Sequence, residues 1–196
     1  MRFVSTVFSL LLAVQLVAAQ EPKPAQSPQE AAMMQAWMQF ATPGEAHKKM
    51  QEMVGVWDTA VKMYMEPGAP TESKGTSTYT SLMDGRYIQE VAEGVFGGMP
   101  FHGIGIYGYD NLKKKHISFW VDNMGTGFMV GTGESPDQGK TVNWTATSSD
   151  PVSGKEQTYH SVVKQISADQ YTFEMSGPGP DGKEMKMMEM TYTRRK

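Results

Sequence analysis

The chain contains no cysteine among its 196 residues. Disulfide bonds, thiolate nucleophiles and zinc–thiolate centres are therefore excluded. A charge excess of either sign is also lacking, because 18 lysine and arginine residues are balanced by 21 aspartate and glutamate residues. A nucleic-acid-binding protein would carry a clear basic excess on one face, so we expect no nucleic-acid partner.

Sequence motifs of several enzyme classes are missing as well. The chain has no G-x-S-x-G nucleophile motif, no phosphate-binding P-loop and no H-E-x-x-H zinc motif. Leucine is scarce after residue 19, where Leu82 and Leu112 are the only two, whereas the whole chain has 17 methionines. We expect methionine to replace leucine in the core, because its flexible thioether fills irregular gaps.

Residues 1–19 are typical of a secretory signal peptide. Arg2 supplies a positive charge, and residues 7–19 are apolar except for Ser9 and Gln15 and end in small side chains. The apolar stretch is shorter than the roughly 20 residues that a membrane span needs, so cleavage after Ala19 is predicted rather than an anchor. The mature protein is then periplasmic or extracellular, without stable membrane insertion.

Residues 20–29 contain three prolines and no large apolar side chain, which predicts a flexible linker. Residues 30–54 are predicted to hold two short helices. The first has an apolar stripe at helical spacing that includes Met33, Trp37 and Phe40.

The second helix is predicted from its capping pattern. Thr42 is expected to be its N-cap, with Pro43 at the first helical position and Glu45 completing a capping box. Its buried side is expected to come from apolar residues near its end, namely Met50, Met53 and Val54.

Residues 55–196 show the alternation of apolar and polar side chains that is typical of strands. Nine turn signals rich in Gly, Pro, Asn and Asp divide this segment into ten strands. The connections are too short for parallel crossovers, so neighbouring strands must pair antiparallel. The chain is therefore predicted to form one all-β domain, an antiparallel up-and-down barrel of about ten strands with two short N-terminal helices at one end.

A Gly-x-Trp motif, Gly55 and Trp57, lies where the second helix meets the first strand, and Arg194 lies near the end of the last strand. This arrangement resembles the lipocalin and fatty-acid-binding (calycin) barrels. In that superfamily the tryptophan closes one end of the barrel and an arginine packs across it. The resemblance implies a barrel-closing pair of Trp57 and Arg194, with Arg195 as the alternative partner.

Several longer segments resemble a family of exported bacterial proteins that is known as domain of unknown function 1579. They include ATPGEAHKKM, SLMDGRYIQE, PFHGIGIYGYDN and PDGKEMKMMEMTYTRR, and the resemblance covers almost all of residues 28–195. It implies a lipocalin-like fold and export. It brings no catalytic residues.

The inward side chains of a ten-stranded barrel do not fill its interior, so a cavity is predicted, with a filled barrel as the alternative. Such a cavity is the usual site for a small apolar or amphipathic molecule, and binding one is the predicted function. Alternation also places Phe128 and Val130 inside, and glycines such as Gly103 and Gly133 are expected to mark bends. The predicted ligand-binding residues are Trp57, Val61, Met63, Phe101, Tyr107, Trp120, Trp144, Tyr159 and Met175.

No metal or cofactor is predicted, and two alternatives stay open. Soft thioethers select Cu(I), and two methionine pairs share faces of the first and last strands: Met63 with Met65, and Met185 with Met187. One inward histidine would suffice to bind haem iron, and the strands offer His102, His116 and His160.

No catalytic residue is predicted, and a binding protein is favoured over an enzyme. The enzyme alternative would pair one of the three strand histidines with a carboxylate in the cavity, and the candidates are Glu90, Asp122 and Glu189. A third alternative is a non-catalytic interaction protein with a filled barrel and an exposed apolar patch.

Overall fold

The fold is known from a computed structural model, which describes residues 27–64, 69–151, 153–179 and 181–196. The predicted signal peptide, most of the predicted linker and Met65 lie outside the described residues. Two helices precede ten strands: α1 (Pro28–Ala41), α2 (Glu45–Gln51), β1 (Gly55–Met63), β2 (Thr71–Leu82), β3 (Tyr87–Phe96), β4 (Met99–Asp110), β5 (Lys115–Asp122), β6 (Met129–Glu134), β7 (Thr141–Asp150), β8 (Lys155–Ser167), β9 (Gln170–Pro178) and β10 (Glu184–Arg194).

The ten strands form one closed antiparallel barrel in which each strand pairs with its neighbours along the chain. β1 and β10 close the barrel, with Trp57 opposite Arg194 at one end and Met63 opposite Met188 at the other. The predicted up-and-down barrel of about ten strands is therefore confirmed. The predicted turn at Pro67 and Gly68 lies outside the described residues. The other turns fall where signals rich in Gly, Pro, Asn and Asp predicted them, as at Gly85, whose φ of 82° is one that glycine tolerates without strain.

The first helix lies on the outside and buries none of its residues. Ser27 and Glu30 form a capping box, in which Ser27 N donates to the Glu30 carboxylate at 2.8 Å and Glu30 N donates to Ser27 Oγ at 3.2 Å. α1 therefore begins at Pro28, and the last two residues of the predicted linker are helical. The apolar stripe of α1 is exposed, with Trp37 at 61%. In the described ranges, no helix is both long and apolar enough to cross a membrane.

Thr42 is not the N-cap of the second helix, as the sequence predicted, but the C-cap of α1. Its hydroxyl donates to the Met38 carbonyl at 2.6 Å. The reason is Pro43, since a proline disfavours helical backbone in the residue before it, and Thr42 is extended with φ −85° and ψ 123°. The N-cap of α2 is Gly44, whose N–H donates to His47 Nδ1 at 3.0 Å.

The second helix, α2, packs against β3 and β4 at the end of the barrel where β1 begins. Met50 is buried there, and Met53 and Val54 are partly buried, as the sequence predicted. Trp57 Nε1 donates to the Met53 carbonyl at 2.7 Å, which ties the end of the helical segment to the first strand. We call this end of the barrel the floor and the opposite end, near residues 96–99, the mouth.

Candidate ligand cavity

A cavity of about 670 Å³ lies inside the barrel. Its volume is within the range of about 300–1,000 Å³ that is typical of small-molecule sites. All nine residues predicted for the barrel interior line this cavity: Trp57, Val61, Met63, Phe101, Tyr107, Trp120, Trp144, Tyr159 and Met175. Their contact with a ligand stays a prediction.

Trp57 forms the floor of the cavity and is 2% exposed. Tyr171 packs edge-on against its ring with centroids 4.7 Å apart, and Arg194 Cζ lies 4.1 Å from the ring centroid. Arg194 also donates to the carbonyls of Val54 at 2.9 Å and of Glu52 at 2.5 Å. Trp57 and Arg194, the pair that the calycin resemblance implies, are therefore in direct contact.

Glu90 is a carboxyl that is buried inside the barrel close to the floor and is 3% exposed. Ser77 Oγ donates to its Oε1 at 2.7 Å, and Tyr107 Oη donates to its Oε2 at 2.8 Å. Burial raises the pKa of Glu90, and hydrogen bonds from the surrounding hydroxyls oppose this rise in part. Within the described ranges, Glu90 forms no ion pair with a lysine, arginine or histidine.

Four tyrosines surround this carboxyl: Tyr79, Tyr107, Tyr171 and Tyr192. Burial raises the pKa of each phenol, and the nearby charge of Glu90 adds to the rise. Tyr171 and Tyr192 stack with ring centroids 4.2 Å apart. The buried Tyr171 hydroxyl has no hydrogen-bond partner in the part of the chain that the structure describes. The oxygen is enclosed by protein atoms and does not face the open part of the cavity.

Aromatic rings form the cavity wall above the floor. Phe101 and Trp120 stack with centroids 6.4 Å apart, and Trp120 Nε1 donates to Asp122 at 2.8 Å. A Cβ atom on Gly103 would lie 2.7 Å from Cη2 of Trp120, which is closer than real Cβ contacts. Gly133 likewise leaves room for a ring, that of Trp144. These glycines were predicted to mark bends, and the structure gives them another role, since they let large rings lie flat on the strands.

Phe128 and Val130 do not face the cavity, contrary to the prediction. They are 57% and 42% exposed, and Phe128 packs on Phe119 with ring centroids 5.5 Å apart. In β6 the inward positions belong to Met129 and to glycines such as Gly133. The reason is steric, because inward tryptophan rings from neighbouring strands occupy the space that larger β6 side chains would need.

The three strand histidines lie on different faces of the barrel. His116 lines the cavity and is 5% exposed, whereas His102 and His160 are exposed on the outside. The His116 ring packs against Tyr109 and Trp144, with centroids 5.1 and 5.9 Å away. His116 is therefore the strand histidine that suits the haem alternative, which stays a prediction.

Met65 of the copper alternative lies outside the described residues, and Met63 lies opposite Met188 where β1 pairs with β10. The pairing of β10 with β9 shifts register between Lys186 and Met188, next to the predicted pair of Met185 and Met187. Among the described residues, no cluster of three or more His, Asp or Glu side chains suits a metal ion. The copper alternative is left as a prediction.

The carboxylates of the enzyme alternative are spread over the barrel. Glu90 is near the floor, Asp122 accepts from Trp120 at the wall, and Glu189 pairs with Lys186 on the surface. In the described ranges, no hydrogen bond or ion pair joins any of the three to His116. The structure therefore brings His116 and Glu90 into one cavity but not into contact.

A sequence profile described as "Protein of unknown function (DUF1579)" matches residues 42–194, which is most of the chain. The chain belongs to the DUF1579 family. The match begins at Thr42, so it covers α2 and the barrel but leaves out α1. No functionally described protein gives a significant match to this DUF1579 chain.

Two solved structures share the barrel fold of this DUF1579 protein. Rv2717c from M. tuberculosis superimposes with a TM-score of 0.59 at 12% identity, over 79% of this chain and 100% of its own. The S-type phycobiliprotein lyase CPES from Guillardia theta gives a TM-score of 0.56 at 10% identity, over 82% of this chain and 97% of its own. At such identities the likeness shows the fold alone.

Sequence reasoning missed part of the floor of this DUF1579 barrel. Ser77, Tyr79, Tyr171 and Tyr192 are buried and line the cavity, yet none was predicted to do so. The alternation of side chains along the strands could have predicted them, since Ser77 and Tyr79 occupy successive inward positions of β2. A row of hydroxyl-bearing inward side chains indicates a polar patch inside a barrel.

Proposed function

We propose that this DUF1579 protein binds a small amphipathic molecule inside its barrel. The observation that carries the proposal is the cavity of about 670 Å³, which combines apolar walls with a cluster of buried hydroxyls and one carboxyl near the floor. Apolar walls bind a hydrocarbon or aromatic body by excluding water, and a few polar groups fix its orientation.

We also infer that the barrel is of the calycin type. The support is the position of the Gly-x-Trp motif at the start of β1 and the stacking of Arg194 on Trp57. A Cβ atom on Gly55 would lie 2.8 Å from Arg194 Nη1, so the glycine of the motif makes room for this guanidinium.

Export is the third part of the proposal. Its support is the sequence of residues 1–19, with one arginine, an apolar stretch and small residues before the predicted cleavage point. Intact-mass measurement of the protein from the culture medium or periplasm of its host would give the mature N-terminus. We expect Gln20, and a cell-associated chain that retains residues 1–19 would contradict export.

The binding proposal is tested by titrating the protein with N-phenyl-1-naphthylamine, an uncharged dye whose fluorescence rises in apolar surroundings. Ala92 and Val91 are neighbours on β3 with opposite orientations: Ala92 lines the cavity and is 8% exposed, whereas Val91 is 37% exposed on the outside. Ala92→Phe inserts a ring into the cavity, and Val91→Phe adds the same side chain outside.

We expect the wild-type protein and Val91→Phe to bind the dye with similar affinity. Ala92→Phe should bind it at least about tenfold more weakly, which corresponds to a loss of about 1.4 kcal/mol. Absence of dye binding to the wild-type protein, or equal binding to both variants, would contradict a ligand cavity in the barrel. Circular dichroism spectra of the variants show whether the barrel is folded.

A further inference from the structure

The carboxyl of Glu90 is the one acidic group that is buried among the described residues. A carboxylate has about four sites that accept hydrogen bonds. The hydroxyls of Ser77 and Tyr107 occupy two of them, one on each oxygen, and the Tyr79 hydroxyl also interacts with the carboxyl. The remaining sites are left for a further donor, and no cationic side chain of the described residues supplies one.

The arginine near the floor does not neutralise this carboxyl. Arg194 stacks on Trp57, donates to the carbonyls of Glu52 and Val54, and pairs with Asp169 at 3.5 Å. Its charge is therefore directed at backbone oxygens and at a surface acid. An isolated charge in a buried site costs free energy, so the ionised form of Glu90 needs a cation beside it. No described side chain supplies that cation, and a bound ligand would.

Aromatic rings close to Glu90 supply the second feature. The rings of Tyr79 and Tyr107 lie 6.5 Å apart, those of Tyr79 and Tyr171 6.4 Å apart, and Trp144 lies 6.1 Å from Tyr107. The faces of such rings are negative and attract cations when water is excluded. A carboxyl beside several aromatic rings is the combination that recognises an ammonium group.

The charged side chains at the inward strand positions of the cavity are acidic. Glu90 and Asp122 occupy such positions, whereas Glu72, Lys74 and Glu93 lie at exposed, outward positions of β2 and β3. Lys49 already pairs with Glu52 at 2.7 Å. No lysine of the cavity lining occupies an inward strand position among the described residues, so the strand side chains that face the interior favour a cation over an anion.

We propose that the ligand is an amphipathic amine whose protonated head binds Glu90 near the floor, with its apolar tail directed to the mouth. This inference rests on the proposed ligand-binding function and names the chemical class of the ligand. The ammonium N–H groups donate to the Glu90 carboxylate. The tail contacts apolar residues of the upper wall, which are Val61, Met63, Phe101, Trp120 and Met129.

The test is displacement of N-phenyl-1-naphthylamine by three probes that share a ten-carbon tail: decylammonium, decan-1-ol and decanoate. At neutral pH these carry a positive, no and a negative charge. We expect decylammonium to displace the dye at a concentration at least about tenfold lower than decanoate, since a charge-assisted hydrogen bond contributes more than a neutral one. The concentration of decan-1-ol that displaces the dye should lie between those of the two charged probes.

Glu90→Gln removes the charge and keeps the shape of the side chain. In this variant we expect decylammonium to lose about tenfold in apparent affinity, while decan-1-ol changes less than about twofold. The matched control is Glu156→Gln, which removes an acid exposed on β8 that does not line the cavity. It should leave the order and spacing of the three probes unchanged.

Equal affinity for the three probes, or tighter binding of decanoate, would overturn the amine inference and leave the proposed ligand-binding function standing. Failure of the dye and of every probe to bind would overturn both. The comparison of probes on the wild-type protein decides the matter even if Glu90→Gln does not fold.

Discussion

The guanidinium of Arg194 lies over the indole of Trp57, with Cζ 4.1 Å from the ring centroid, although the two residues come from opposite ends of the barrel sequence. They lie directly opposite each other where β10 pairs with β1, so their contact joins the last strand to the first. Two hydrogen bonds from Arg194 to the carbonyls of Glu52 and Val54 extend this junction to the segment that follows α2. One side chain thus links the closure of the barrel to the segment that follows α2.

Replacement of Arg194 by alanine is predicted to destabilise the protein by about 2–4 kcal/mol, because a cation–π contact and two charge-assisted hydrogen bonds are lost together. The free energy of unfolding of Arg194→Lys should lie between those of the wild-type protein and Arg194→Ala, since lysine keeps the charge but lacks the planar guanidinium. Denaturant unfolding followed by tryptophan fluorescence measures the free energy of unfolding.

The control for this prediction is Arg195→Ala. Arg195 pairs with Asp58 on the surface, where ion pairs contribute little, so its loss should change stability far less. Equal destabilisation by Arg194→Ala and Arg195→Ala would contradict a special role for the Trp57 contact.

Gly103 is predicted to be sensitive to the smallest enlargement. Its Cβ would collide with the Trp120 ring, so Gly103→Ala should displace that ring and destabilise the protein by about 1–3 kcal/mol. A shifted tryptophan emission spectrum, together with denaturant unfolding, measures both effects.

Gly127→Ala serves as the matched substitution, because a Cβ at Gly127 would meet nothing within 4 Å. It should leave the spectrum and the stability close to those of the wild-type protein. Equal stability and equal emission spectra of Gly103→Ala and Gly127→Ala would contradict the close packing of Trp120 on Gly103.

Acid is predicted to destabilise the barrel through His116. Burial lowers the pKa of His116, and repulsion from His47 adds to this shift. The unfolded chain then binds more protons than the folded one below the ordinary histidine pKa of about 6.5, so the free energy of unfolding falls as the pH falls through that value. Between pH 7.5 and 5.5 the contribution of His116 is at most about 1.4 kcal/mol.

His116→Phe keeps a ring against Tyr109 and Trp144 but does not titrate. Its stability should therefore decrease less than that of the wild-type protein between pH 7.5 and 5.5, as measured by denaturant unfolding at both values.

Glu90 changes the free energy of unfolding in the opposite direction to His116. Burial raises the pKa of Glu90, so the stability that its protonated form contributes is lost as the pH rises above about 4.5. An unchanged acid sensitivity in His116→Phe would contradict the prediction.

Local patterns were sufficient to predict the strands and the turns of this barrel. Alternation of side chains and turn residues such as Gly85 act over a few residues, so their effect is visible in the sequence without knowledge of the partners. The contact of Trp57 with Arg194 was predicted from the resemblance to calycin barrels rather than from a local pattern.

The features that sequence reasoning missed depend on residues far apart in the chain. Val130 was placed inside because it and Phe128 are apolar residues at alternate positions, and only the neighbouring Trp144 ring shows that the glycine side of the strand faces inward. The stripe of α1 that contains Trp37 has the pattern of a buried helix face but no covering element among the described residues. Glu90 and Tyr171 meet only when the barrel closes, since they lie on β3 and β9.

The most direct test of a ligand cavity uses the methionines as reporters. Methionine methyl groups labelled with ¹³C give resolved NMR signals, and the chain has them both inside the barrel and outside it. Met63, Met129, Met175 and Met190 line the cavity, whereas Met33, Met34, Met38 and Met83 are exposed. On addition of decan-1-ol, we predict that the signals of the first group shift while those of the second stay in place; shifts confined to the exposed group would contradict binding inside the barrel.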